Sequence, residues 1–113
     1  MNDKRTELTA VDLGILSLLG IGPENAISRK SLSRMTGLED ATIRASIKEL
    51  RLHEKPISNH FDGKGYYLAT DREQLEPVIA GLKSRRNALD RVIYHLSKAA
   101  QEFDYVHNRI KGE

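Results

Sequence analysis

The sequence predicts a mainly helical α+β chain with one small β-hairpin and a long C-terminal helix. Three observations carry this. Apolar residues recur at helical spacing in short runs before residue 54, each run closed by glycine or proline. Asp62-Gly63 separates two β-prone runs, "ISNHF" and "YYLAT". From Leu75 onward apolar residues alternate steps of four and three to the C-terminus.

In order, residues 1–8 read as a short polar arm, and "LTAVDLGILSLLG" as the first helix. Thr9 is its N-cap, with Asp12 in the first turn and Leu8 and Leu13 at staple spacing. Ile15, Leu16 and Leu19 form its inward stripe, and Gly20 ends it. Gly22-Pro23 marks a turn, and "AIS" fits one rung of a small sheet. Ser28 caps "RKSLSRM", which stops at Gly37, and Leu38 bridges to the next helix. That helix spans about Asp40 to His53, burying Ile43, Ile47 and Leu50, and Pro56 marks the end of its run. In the hairpin, Ile57 and Phe61 share one face of the first strand, Tyr66 and Leu68 one face of the second, and Tyr67 points the other way.

The C-terminal pattern is a heptad seam over about five repeats: Leu75, Ile79, Leu82, Arg86, Leu89, Ile93, Leu96, Ala100, Phe103, His107 and Ile110. Pro77 falls where the first turn of a helix tolerates it. Isoleucine at a and leucine at d favour two parallel strands. The g positions, Val78, Arg85, Val92, Ala99 and Val106, widen the stripe beyond a strict two-stranded seam. Parallel pairing, antiparallel pairing and folding back onto the N-terminal half all stay open. The expected dimer interface is Leu75, Ile79, Leu82, Arg86, Leu89, Ile93, Leu96, Ala100 and Phe103. The expected division is an N-terminal domain over 1–70 and a dimerisation helix over 71–113.

Composition limits the function classes. The 113 residues make one small domain with a modest core, and 18 basic against 16 acidic residues leave a net charge of only +2. Between residues 28 and 67, eight basic side chains stand against five acidic ones, a local +3. Cysteine is absent, which excludes disulfides and thiolate metal sites. No run approaches a membrane span, and "MNDKRTEL" lacks an apolar signal core, so a soluble cytoplasmic protein is expected. Tryptophan is absent and aromatics are few, which argues against a base-stacking surface for single strands. His53, His60, His95 and His107 show no metal-binding spacing, and no nucleophile motif is present. Neither an enzyme nor a cofactor is expected.

Residues 9–70 resemble the winged helix-turn-helix domains of small prokaryotic and phage DNA-binding proteins. The resemblance is carried by "SLSRMTGLEDATIRASIKELR" and "ISNHFDGKGYYLAT": Ser33 after Leu32, Gly37 at the turn, and Leu38, Ile43, Ile47 and Leu50 anchoring the second helix. The wing followed by a long helix is similar to dimeric regulators of the MarR and PadR kind. It implies a homodimeric transcriptional regulator binding double-stranded DNA, with the helix at about 40–53 in the major groove and a wing at 57–69.

With Ile43, Ile47 and Leu50 buried, Thr42, Arg44, Ala45, Ser46, Lys48 and Arg51 point outward, and Arg44 suits a bidentate contact with guanine. Ser28, Arg29, Lys30, Ser31 and Arg34 stand where such domains grip phosphate, with Lys64 at the wing tip and Tyr67 beside it. Glu39 and Asp40 stand at the start of the helix at about 40–53, and Glu39 departs from the family pattern, which commonly has serine there. A helix N-terminus stabilises such acids by ~0.3–1 kcal/mol, and a carboxylate there also repels phosphate or accepts from cytosine. Two other readings stay open: a replication accessory or phage modulator using the winged helix for protein contacts, and a nonspecific architectural DNA binder.

Overall fold

A computed structural model describes residues 7–59 and 65–111, the side chains of 108–111 excepted. Phe61, the Asp62-Gly63 turn and Lys64 lie outside the described residues. The chain is mainly helical with a two-stranded antiparallel hairpin and a long C-terminal helix, as its sequence predicts. It divides into two compact units, Met1–Val78 and Ile79–Glu113.

In the first unit, α1 spans Ala10–Leu18. Its start is a reciprocal capping box in which Thr9 Oγ1 accepts from Asp12 N (3.2 Å) and Asp12 Oδ2 accepts from Thr9 N (2.9 Å). The helix closes on Leu19, one residue before Gly20, and Leu13 is half exposed and outside the core. After a 3-10 turn at Pro23–Asn25, α2 spans Arg29–Thr36, capped by Ser28 Oγ accepting from Ser31 N (3.0 Å). Gly37 ends α2 in the left-handed region (φ 74°), which L-residues enter only with strain. Three side-chain bonds pin the turn: Ser33 Oγ to Leu38 O (2.5 Å), Thr36 Oγ1 to Leu32 O (2.7 Å) and Leu38 N to Thr36 Oγ1 (3.1 Å).

The second helix of this pair, α3, spans Asp40–Leu52. Ile43, Ile47 and Leu50 pack with Ile15, Leu19, Leu32 and Ile57 into one buried cluster. Each such side chain contributes ~1.5–3 kcal/mol by leaving water.

Strands β1 (Ile57–Asn59) and β2 (Tyr66–Leu68) pair with Ile57 opposite Leu68 and Asn59 opposite Tyr66. The far edge of β2 is covered too. Ile27 bridges Tyr66 through reciprocal backbone bonds of 2.9 and 2.8 Å, the rung expected of "AIS", and Ile21 bridges Leu68. Gly65 allows this approach, since a Cβ there would stand 2.8 Å from the Ile27 carbonyl.

The long helix α4 spans Arg72–Lys111. Asp71 Oδ1 accepts from Gln74 N (3.0 Å) and starts it, so Pro77 falls inside the helix and not in its first turn. Ser58 Oγ donates to Gln74 O (2.5 Å). This bond ties the start of α4 to the hairpin, and the first unit runs on to Val78, past the expected boundary at residue 70.

Candidate nucleic-acid interface

The buried stripe of α3 leaves Thr42, Arg44, Ala45 and Lys48 exposed on its opposite side. Arg29, Lys30 and Arg34 are exposed on α2, while Ser28 and Ser31 are half-buried and joined to each other (Oγ to Oγ 3.0 Å). Asp40, the first residue of α3, connects the two helices. One carboxylate oxygen meets Arg29 Nε at 2.8 Å and the other meets Arg44 Nε at 3.0 Å. The Tyr66 hydroxyl, hydrogen-bonded to the Arg29 side chain, raises the pKa of Arg29 above its ordinary value. Burial opposes this, and the Asp40 carboxylate adds a lesser upward push. Like any guanidinium, Arg29 stays a cation at working pH. Glu39 is exposed, and its side chain makes no capping bond at the head of α3.

Three expected DNA contacts are corrected. Ser46 does not face outward: it is 3% exposed, and its hydroxyl donates a short hydrogen bond to the buried Asp12 Oδ1. It lies three residues after Ile43 and four before Leu50, on the same stripe, so the helix carries it inward. Arg51 is half-buried and braces the hairpin, with Nε donating to Ile57 O (3.0 Å), Nη2 to Asn59 Oδ1 (3.1 Å) and the guanidinium 5.8 Å from the Tyr66 ring centroid. Tyr67 is 6% exposed, because the face it shares with its cross-strand partner Ser58 is covered as well as the other. Lys64 falls outside the described residues.

Comparison with protein families, with curated proteins and with solved structures returned no match. The residues themselves must therefore carry the functional reading. Asp40 as a clamp on two arginines was readable in part, since Asp40 and Arg44 stand at i, i+4 on one helix. The Arg29 arm of the clamp, and the Tyr66 contact behind it, depend on how α2 and β2 approach α3. Among the described residues no three His, Cys, Asp or Glu side chains gather into a metal-holding group, and no helix is long and apolar enough to cross a membrane.

The second surface lies on α4. Ile79, Leu82, Leu89, Ile93, Leu96 and Phe103 are between 46% and 76% exposed, and Arg86 and Ala100 are exposed among them. Leu75 differs: it is half-buried and belongs to the first unit. The exposed seam thus begins at Ile79.

Proposed function

We propose that this chain binds double-stranded DNA in a sequence-dependent way, as a homodimeric transcriptional regulator with α3 in the major groove. The observation that carries the reading is the exposed row Thr42, Arg44, Ala45 and Lys48 on the second helix of a glycine-turned pair, flanked by the exposed cations Arg29, Lys30 and Arg34. A helix of this width fits the major groove, and these side chains can donate to base edges, meet a thymine methyl or hold phosphate. The resemblance to winged helix-turn-helix proteins adds to this. Selection of bound sequences from random duplex DNA tests it: an enriched motif is the expected result.

Arg44→Ala is expected to relax the preference at one or two positions of that motif, with a loss of ~1–3 kcal/mol on the preferred sequence and less on others. An equal loss on every sequence would reduce Arg44 to a phosphate contact. Asp40→Asn acts the opposite way. Each exposed ion pair is worth ~0.2–1 kcal/mol, and DNA must compete with both for the arginines. Freeing Arg29 and Arg44 is expected to strengthen binding to any duplex about fivefold, measured by fluorescence anisotropy.

A second reading is favoured by the same carboxylate, which occupies two cations a DNA-reading surface would leave free. In it the winged helix docks on protein. Absence of duplex binding at low salt would select that reading, while a steep salt slope without an enriched motif would select an architectural binder.

A further inference from the structure

We infer that α4 pairs antiparallel with a second copy of itself, with Lys83 level with Asp104 of the second copy and Arg86 packed against its Phe103. This rests on the homodimer reading above and names its geometry.

The apolar face of the second unit is exposed along its described length, and it contains two misfits. Arg86 puts a cation into the seam, and Phe103, at 76%, is the most exposed large apolar side chain among the described residues. In a parallel, in-register pair each a-position residue meets its own copy. Arg86 would face Arg86, and Ala100 would face Ala100, leaving a gap between the Leu96 and Phe103 layers. The Arg85–Asp90 pair available across a parallel g–e' contact flanks the Arg86 layer without separating its two cations.

Antiparallel pairing sets a positions beside d positions of the second copy. With Lys83 level with Asp104, Ala100 meets Leu89, Ile93 meets Leu96, and Arg86 meets Phe103, where a cation over an aromatic face is favourable. Every contact occurs twice by symmetry, as a closed two-fold interface requires. The charges select the register: sliding by one heptad sets Asp90 against Asp90 or against Asp104. A face whose charges answer its own sequence reversed points to a second copy as its occupant.

The chain has no cysteine, so Ala80→Cys provides a single site for a spin label at an exposed position just outside the start of the seam. Residue 80 of one copy then lies near residues 107–109 of the other. At 1.5 Å of rise per residue, the expected label separation is about 40–45 Å. A separation under about 20 Å overturns the antiparallel geometry and leaves the homodimer standing. Absence of dipolar coupling, with a monomer in sedimentation at micromolar concentration, overturns both. Charge exchange gives a second readout in the full chain. Lys83→Glu is expected to weaken pairing about tenfold, and adding Asp104→Lys to restore it. A double variant that pairs no better than Lys83→Glu alone overturns the register.

Discussion

Asp12→Ala is expected to destabilise the first unit by about 2–4 kcal/mol. Two separable effects add. The capping box at the head of α1 disappears, which costs ~1 kcal/mol, and the Ser46 hydroxyl is left buried without its carboxylate acceptor, which costs a further ~1–3 kcal/mol. Asp12 and Ser46 are 2% and 3% exposed, so water does not readily replace the missing partner. The bond also joins residues 34 apart in sequence and holds α1 against α3, the helix that presents Thr42, Arg44 and Lys48. Denaturant melts of Asp12→Ala, Ser46→Ala and the double variant measure it. The double variant is expected to be more stable than the sum of the two single losses implies, by at least ~1 kcal/mol, because both orphaned groups are then gone. Strict additivity would sink the claim that the two side chains act as a pair.

This pair also marks where the sequence was legible and where it was not. The Thr9 cap, the Ser28 cap and the Gly37 turn all depend on residues within four positions of one another, and all are legible in the sequence; the reciprocal bond from Thr9 N to Asp12 is not. The seam of α4 was readable too, because a heptad repeats its signal. Ser46 reads as an outward residue, although its spacing from Ile43 and Leu50 puts it on the buried stripe. Its polarity argued for solvent, and its partner, Asp12, sits on another helix. Arg51 and Tyr67 failed for a related reason: a charged or phenolic side chain near a wing looks like a DNA contact until the hairpin closes over it. Asp40 reads as a helix-start acid favoured by the dipole, and only the approach of α2 shows that its carboxylate serves Arg29 as well as Arg44. Nonlocal partners of polar residues are what periodicity does not encode.

Leu89→Asp is expected to convert the proposed dimer to monomer over the whole micromolar range while leaving the melting of the first unit unchanged. Leu89 is 62% exposed in the single chain, so an aspartate there costs little before pairing. In the pair it would lie against Ala100 of the second copy, inside the seam. Each copy then loses ~1.5–3 kcal/mol of apolar burial and must desolvate a carboxylate, at several kcal/mol more. The interface contains the substitution twice, so a total above ~5 kcal/mol, or more than three decades in the dimerisation constant, is the expected loss. Analytical ultracentrifugation reads this directly. DNA binding should follow it: a monomer engages one half-site, so the slope of log K against log salt is expected to fall by about half along with the affinity. A variant that sediments as a monomer yet binds DNA with unchanged affinity and slope would separate α4 from recognition. A variant that remains dimeric would show that the exposed row from Ile79 to Phe103 is not where the two copies meet.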